Sequence, residues 1–312
     1  MNVRRSLAAA LAAGALLFVT ACSGDLESSD DGDAQAKGQG PVTISGQNFP
    51  EATLVASMYE QLLADAGYEP TVKLVGGRDV YGPDFPGKID IVPEYVGGIA
   101  NYLNIQANGP DAEPFTSGDG EEIASQAEPL FDELGITLLE LSEATDTNAF
   151  FVTKEFAEEN DVSTLSDLEG MSMVLAAAPD CKGRLDCEGG LSEAYGIDIT
   201  KVLPLGYASD QTYQSVIDGE AQLGETSTTD GTLEAQGLVV LEDDQQIQPA
   251  QNLVPAVGEA FLTEHPDVAD LLNALMAALT TEKLTELNGR VSNDREKPED
   301  VARDFLVEEG LL

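Results

Sequence analysis

The sequence has few basic residues, one histidine and no tryptophan. Among its 312 residues, 57 acidic side chains outnumber 15 basic ones, which gives a formal net charge of −42 at pH 7. This balance argues against nucleic-acid binding, because neutralising phosphates requires a basic surface, and against docking on anionic lipid. The excess of carboxylates fits either solubility or a salt-rich habitat.

Motifs of catalysis and cofactor binding are also missing. The single histidine, His265, and three cysteines argue against a histidine-based triad or a multi-histidine metal site. The patterns GxxxxGK(S/T), strand-linked GxGxxG, HExxH and GxSxG are absent. We therefore expect no enzymatic activity, no cofactor and no metal, with a surface enzyme that uses carboxylates as an alternative.

Residues 1–21 have the pattern of an export signal. Two arginines precede an unbroken apolar run, Leu7–Val19, which is shorter than the roughly 20 residues of a membrane-spanning helix. The following VTACSG (residues 19–24) resembles a bacterial lipobox, in which the cysteine becomes the lipidated first residue. This resemblance implies a lipid anchor on Cys22 and a location on the outer face of the cell membrane; a plain signal peptide is the alternative.

Residues 22–40 are predicted to be a flexible acidic tether, because they are rich in Ser, Gly and carboxylates and have no apolar periodicity. The other two cysteines, Cys181 and Cys187, lie in one short segment. In an oxidising compartment they are expected to form a disulfide, which contributes roughly 2 kcal/mol by loop entropy. A CxxxxxC metal site is the alternative.

The body of the chain alternates between strand and helix patterns. The predicted strands are Val42–Ser45, Thr71–Val75, Ile89–Pro93, Ile136–Leu141, Ala149–Thr153, Met173–Ala177, Lys201–Leu205, Gln222–Thr226, Leu238–Leu241 and Leu253–Val257. The predicted helices cover Pro50–Ala66, 120–134, 209–218 and the apolar face of 268–279. This rhythm predicts an α/β protein of two lobes with largely parallel sheets, whose ligands bind in loops that follow strands and between domains.

Several collinear blocks resemble one family. They are GQNFPE (46–51), GGRDVY (76–81), IDIVPEYVG (89–97), TTDG (228–231), LVVLEDD (238–244) and QPAQNLVP (248–255). These blocks are similar to the glycine betaine/choline/carnitine-type substrate-binding proteins of ABC importers, which capture osmoprotectants. The resemblance runs from about residue 42 to 312.

The resemblance implies a type II periplasmic-binding-protein fold, with two α/β lobes joined by a hinge and a ligand cleft between them. Lobe 1 would comprise residues 41–145 plus 250–312, and lobe 2 residues 146–249. A small-molecule solute would stabilise lobe closure, and the closed form would be recognised by membrane permease subunits. The protein is expected to be a monomer.

Aromatic faces hold a quaternary ammonium group, because such a cation donates no hydrogen bond. The resemblance places Tyr95 in an aromatic cage, with Tyr81 as a second wall and Gln47 and Asn48 as polar contacts. Alternatively, Tyr95 ends a strand, Tyr81 is an ordinary half-buried residue, and Gln47 and Asn48 form a turn.

The second lobe departs from the family pattern. Several relatives carry Tyr or Phe where this chain has Asn148, Ser227 and Gln251, which implies a partial cage and a more polar pocket. Arg184 matches a family arginine and would bind a carboxylate, with a surface ion pair as the alternative.

Three residues after a strand complete the expected site: Thr228, Thr229 and Asp230. They would contact ligand or form a turn, and Asp230 could also pair with a cation. The predicted ligand is a quaternary-ammonium compatible solute such as glycine betaine, choline or carnitine; the alternatives are another polar or cationic amino-acid-like ligand, or a structural lipoprotein without one.

Overall fold

A computed structural model describes residues 39–109 and 111–312. These residues form ten β-strands: β1 (Gly40–Gln47), β2 (Tyr68–Val75), β3 (Ile91–Tyr95), β4 (Ile136–Leu138), β5 (Asn148–Thr153), β6 (Ser172–Ala177), β7 (Asp198–Pro204), β8 (Leu223–Ser227), β9 (Leu238–Leu241) and β10 (Leu253–Gly258). The same part of the chain forms eleven α-helices: α1 (Pro50–Asp65), α2 (Arg78–Tyr81), α3 (Val96–Asn108), α4 (Gly120–Leu134), α5 (Lys154–Asn160), α6 (Glu188–Glu193), α7 (Asp210–Ile217), α8 (Glu259–Glu264), α9 (Asp267–Ala278), α10 (Thr281–Ser292) and α11 (Pro298–Glu308).

Three of the N-terminal predictions lie outside the described residues: the signal peptide, the lipidation site Cys22 and most of the tether. Within the described part of the chain, no helix has the length and apolar character needed to cross a membrane.

The strands form two five-stranded sheets, with the orders β2-β1-β3-β10-β4 and β7-β6-β8-β5-β9. We call the residues packed around the first sheet lobe 1 and those around the second lobe 2. In each sheet one strand runs against its neighbours: β10 is antiparallel to β3 and β4, and β5 is antiparallel to β8 and β9. The other paired strands are parallel, as predicted.

The reversed strands reveal where the chain passes between the lobes. β5 begins at Asn148, which pairs with Ser227 at the end of β8, and β10 begins at Leu253, which pairs with Tyr95 at the end of β3. Both crossings therefore enter the new sheet at the carboxyl ends of its parallel strands. These two edges face a common cleft, where open α/β sheets bind their ligands.

Each sheet is covered on both faces, because successive side chains of a strand point to opposite sides. Ile91 belongs to the core under α1, α9, α10 and α11, whereas its neighbour Val92 belongs to the core under α3 and α4. Phe150 and Phe151 divide in the same way between the two faces of the second sheet.

The local sequence accounts for the ends of α1. Pro50 occupies its first turn, where a missing N–H costs nothing, and Gly67 follows its end with φ +94°, a conformation that favours glycine. Several strands differ from their predicted bounds; β1, β2 and β7 begin two or three residues earlier than expected. The strand expected at 136–141 is shorter, Ile136–Leu138, and the one expected at 89–93 is Ile91–Tyr95, because a turn that ends at Ile89 precedes it.

The two crossing segments, residues 139–147 and 242–252, pair with each other. Thr145 and Asn252 form an antiparallel bridge, and the Leu253 N–H donates to the Ala144 carbonyl at 2.9 Å. The Thr228 hydroxyl, directly after β8, donates to the Thr145 carbonyl at 2.6 Å. The expected lobe boundaries after residues 145 and 249 both lie within these segments.

Candidate functional site

The cleft between the sheets contains two adjoining pockets of about 530 and 450 Å³, which share Phe49, Asp146 and Tyr207. The first, which we call the acidic pocket, is also lined by Pro50, Glu51, Ala208, Tyr213, Ser227, Thr229, Asp230, Gly231, Asn288 and Ser292. The second, which we call the amide pocket, is also lined by Gln47, Arg78, Tyr95, Gly98, Thr147, Asn148, Asp186, Gln248, Pro249 and Gln251.

Glu51 is the lobe 1 carboxylate of the acidic pocket. It occupies the first turn of α1, where the helix dipole favours a negative charge, and it is 5% exposed. The Tyr95 hydroxyl donates to its Oε1 at 2.5 Å, and the Asn288 side-chain amide donates to its Oε2 at 2.5 Å. Both oxygens of Glu51 are thus held in place.

Tyr95 lines the amide pocket, and its hydroxyl reaches Glu51 of the acidic pocket. Its ring stacks on Phe49 with the centroids 6.2 Å apart. Burial, and then the charge of Glu51, raise the pKa of the Tyr95 hydroxyl, so this group stays protonated at neutral pH and acts as a hydrogen-bond donor.

Asp230 is the lobe 2 carboxylate of the acidic pocket. Its Oδ2 accepts from the Tyr213 hydroxyl at 2.6 Å and from the Thr226 hydroxyl at 2.5 Å. Its Oδ1 accepts from the N–H and the hydroxyl of Thr232. Asp230 therefore stabilises the turn after β8 and also adds negative charge to the pocket.

Asp146 lies in the first crossing segment and lines both pockets. Burial raises its pKa to about 7, the charges of Glu51 and Asp230 add to this rise, and hydrogen bonding from Thr229 and Ser227 opposes it. Its Oδ1 is buried without a hydrogen-bond partner in the protein. Three carboxylates from lobe 1, the crossing segment and lobe 2 thus converge on one pocket.

Arg78 is the sole basic residue among the described residues that line the two pockets. Its Nε and Nη2 donate to the buried carboxylate of Glu94, with an Nη2–Oε2 distance of 2.8 Å. Nη1 takes no part in these bonds, so this edge of the guanidinium can meet an anion in the amide pocket.

Glycines allow the close packing around this pocket. A Cβ at Gly97 would lie 2.5 Å from the Ala250 carbonyl oxygen, and a Cβ at Gly98 would clash with the Arg78 guanidinium. The Gly98 N–H donates to Gln251 Oε1 at 2.9 Å, which fixes that amide at the N-terminal end of α3.

A disulfide joins Cys181 and Cys187 on the lobe 2 side of the amide pocket. Both sulfurs of the CxxxxxC metal alternative are thereby occupied. The enclosed loop carries Asp186, whose backbone carbonyl accepts from the Gln248 side-chain amide at 2.7 Å. The loop therefore helps to position two residues of the pocket wall.

Seven of the eleven side chains expected at the site line the cleft: Gln47, Tyr95, Asn148, Ser227, Thr229, Asp230 and Gln251. The structure does not place the other four in the pocket walls. Tyr81 is buried in the lobe 1 core and donates to Glu94, and Arg184 pairs with Asp186 at 2.6 Å and with Asp180.

The remaining two residues have structural positions near the cleft. Asn48 is exposed between β1 and α1, consistent with the turn alternative. Thr228 donates its hydroxyl to the crossing segment rather than to the cleft. It therefore attaches the end of β8 to the first crossing segment.

The lining residues that sequence reasoning missed include Phe49, Glu51, Arg78, Asp146, Tyr207 and Asn288. Three of them, Phe49, Glu51 and Arg78, belong to the family-like blocks. Tyr207 follows a strand, where ligand contacts were expected. Asn288 carries no local signal, because it reaches the pocket from a helix near the C-terminus.

Comparison with known proteins places nearly all of the described residues in one family. The model of the substrate-binding domain of ABC-type glycine betaine transport systems matches residues 40–308. A glycine-betaine-binding protein of Pseudomonas aeruginosa is 28% identical over 286 residues, which cover 87% of this chain and 88% of the relative. The glycine betaine-binding protein YehZ of Escherichia coli is 27% identical over 310 residues, which cover 96% and 97%.

A solved structure of a relative has the same fold. The structure of apo YehZ from Escherichia coli superposes with a TM-score of 0.72 at 25% identity and covers 87% of this chain and 99% of that one. The predicted two-lobed periplasmic-binding-protein fold is thereby confirmed.

Proposed function

The chain belongs to the family of substrate-binding domains of ABC-type glycine betaine transport systems, and we propose that its ligand is a quaternary-ammonium compatible solute such as glycine betaine, choline or carnitine. As a member of this family, it is an extracytoplasmic protein that binds a small-molecule solute and works with permease subunits. The family acts in transport and is not enzymatic.

The observation that carries this proposal is the combination of aromatic rings and carboxylates in the acidic pocket. Phe49, Tyr207 and Tyr213 line the acidic pocket, and Tyr95 lines the adjoining amide pocket. An aromatic face attracts a cation by about 0.5–2 kcal/mol, and nearby carboxylates add a longer-range attraction. Such a pocket suits a cation that cannot itself form an ordinary ion-pair hydrogen bond.

The amide pocket would take the other end of the solute. Gln47, Asn148, Gln248 and Gln251 supply amide groups, and the Nη1 edge of Arg78 supplies charge-assisted donors. A solute with a carboxylate or hydroxyl would therefore lie with its ammonium group in the acidic pocket and its polar end against the amides.

Ligand capture would couple to closure, because the pocket walls come from both lobes. Glu51 and Tyr95 belong to lobe 1, whereas Ser227, Thr229 and Asp230 belong to lobe 2. A solute that contacts both sets at once stabilises the closed arrangement, and this closed form is the one that the permease would recognise.

The remaining proposals follow from the sequence. Cleavage before Cys22 and lipidation of that cysteine would anchor a monomer to the outer face of the membrane through the acidic tether of residues 22–40. The lobes would be divided at residues 145/146 and 249/250, as the family resemblance implies.

Differential scanning fluorimetry of the purified full-length protein tests the proposed ligand class. The panel contains glycine betaine, choline, carnitine, ectoine, proline and arginine. A ligand at a hundred times its Kd raises the unfolding free energy by about 2.7 kcal/mol, so the bound compound raises Tm by several degrees. Stabilisation by a quaternary amine supports the proposal; stabilisation by proline or arginine alone would replace it with an amino-acid-like ligand.

A further inference from the structure

Two buried acceptor atoms in the acidic pocket have no donor. Among the described residues, three buried side-chain polar atoms lack a hydrogen-bond partner in the protein: the Tyr59 hydroxyl, Asp146 Oδ1 and Asn288 Oδ1. Tyr59 lies in the lobe 1 core, whereas Asp146 and Asn288 line the same pocket. Buried unpaired acceptors are uncommon, because each costs about 1–3 kcal/mol.

The Asn288 amide and the hydroxyls of Tyr95 and Tyr213 already donate to other acceptors. The Asn288 amide nitrogen donates to Glu51 Oε2 and to the Thr229 carbonyl, whereas its oxygen has no hydrogen-bond partner in the residues that the structure describes. The Tyr95 hydroxyl donates to Glu51, and the Tyr213 hydroxyl donates to Asp230. The pocket therefore offers negative charge and free acceptors but no uncommitted phenol at these two rings.

A fully substituted ammonium group balances the negative charge of the carboxylates and is attracted to the aromatic rings. It has no N–H or O–H, however, to donate to these acceptors. We propose that the pocket selects cations that carry such a donor close to the cationic centre, and that Asp146 is the residue that accepts from it. This inference rests on the proposed function, because it takes the cleft as the ligand site.

This proposal narrows the expected ligands from quaternary amines in general to those that carry a hydroxyl near the cation. A hydroxyl-bearing quaternary amine such as choline can place its cation against the rings and its O–H on Asp146. Glycine betaine has the same cation but no donor at that end. Asp146 is a specificity-determining residue in this account, since it distinguishes two ligands of similar cationic character.

Isothermal titration calorimetry at pH 8 with two isosteric cations tests this assignment. Choline and n-propyltrimethylammonium have the same charge and nearly the same size, and differ by a hydroxyl in place of a methyl group. We expect the wild-type protein to bind choline about tenfold or more tightly than its analogue, as one charge-assisted hydrogen bond implies.

Two variants test whether Asp146 is the residue that causes the preference for choline. Asp146→Ala removes the acceptor and should bring the two affinities within about twofold of each other. Glu143→Gln is the matched control, because it removes one carboxylate charge from the same crossing segment at an exposed position outside the pocket walls. Its choline preference should equal that of the wild type.

Each remaining outcome is decisive. Equal binding of both cations to the wild type would overturn the donor preference and leave the proposed function standing. A preference that survives in Asp146→Ala would overturn the role of Asp146. If neither cation binds, the donor inference is overturned; the proposed function fails with it only if glycine betaine and carnitine also do not bind in the same titration. The wild-type comparison stands even if Asp146→Ala does not fold.

Discussion

The Tyr95 hydroxyl donates to Glu51 Oε1 at 2.5 Å and joins the end of β3 to the first turn of α1. One residue thus supplies both an aromatic wall and the support of a carboxylate. Asn288 holds the other oxygen of Glu51 and also donates to the Thr229 carbonyl in lobe 2. The acidic pocket is therefore a connected set of side chains from both lobes.

Tyr95→Phe keeps the ring but removes the donor to Glu51. We expect it to lower the unfolding free energy by about 1–3 kcal/mol, because a buried carboxylate oxygen loses its partner. Urea denaturation measures this loss. Tyr102→Phe, a half-buried tyrosine on α3 outside the pocket walls, is the matched control and should change stability by less than about 0.5 kcal/mol. Equal effects of the two substitutions would contradict the support role.

Asp146 should make the ligand-free protein less stable as the pH rises. Its pKa is about 7 in the folded protein against 3.8 in the unfolded chain, so between these values the folded state binds more protons. The stability contribution is full below about pH 4 and is lost as the pH passes through 7. The loss is at most about 4 kcal/mol, since one pKa unit corresponds to about 1.4 kcal/mol.

The Asp146→Asn variant isolates this effect from other carboxylates. Its Tm at pH 8 in the absence of ligand should exceed that of the wild type, and the difference should vanish near pH 4. Its affinity for a cation at pH 8 should fall. A variant that is no more stable than the wild type at pH 8 would show that Asp146 ionises without a penalty.

Gly97→Ala should destabilise the protein through the contact with the second crossing segment. The new Cβ would lie 2.5 Å from the Ala250 carbonyl oxygen, and such overpacking costs about 1–3 kcal/mol. Gly76→Ala is the matched control, because a Cβ there meets no atom within 4 Å. Chemical denaturation of both variants measures the difference; similar midpoints would argue against a close approach at Gly97.

Removal of the disulfide should affect stability and ligand binding together. Substituting both Cys181 and Cys187 with Ala should lower the unfolding free energy by roughly 2 kcal/mol, as expected for so short a loop. Because the loop carries Asp186 and contacts Gln248, choline affinity should also fall. Unchanged affinity in the folded variant would separate the loop from the amide pocket.

Much of the fold could be predicted from local sequence, because strands and helix ends carry local signals. Pro50 and Gly67 mark the ends of α1, and short apolar runs that are buried throughout mark central strands such as β3 and β10. The reversed strands β5 and β10 could not be predicted from their own residues. Their direction depends on the edge at which each crossing segment enters the next sheet, which is a property of the whole topology.

The site was predictable where family-like residues lie at strand ends, as for Tyr95 and Asp230. Tyr81 was expected as a second wall because it follows Gly76 and Gly77, but it lies in the lobe 1 core, since its position in sequence does not reveal which side of a four-residue helix meets the cleft. Asp146 and Asn288 were missed because their sequence positions give no sign that they are neighbours. They lie far apart in sequence and meet only because the crossing segment and α10 converge on one pocket.

The central claim is that a cation binds between the two lobes against aromatic rings and carboxylates. A crystal structure of the protein with choline tests it most directly. The account predicts the ammonium group within about 6 Å of the ring centroids of Phe49, Tyr207 or Tyr213 and the hydroxyl within hydrogen-bond distance of Asp146. Choline bound outside the cleft, or with its ammonium group against Arg78 in the amide pocket, would contradict it.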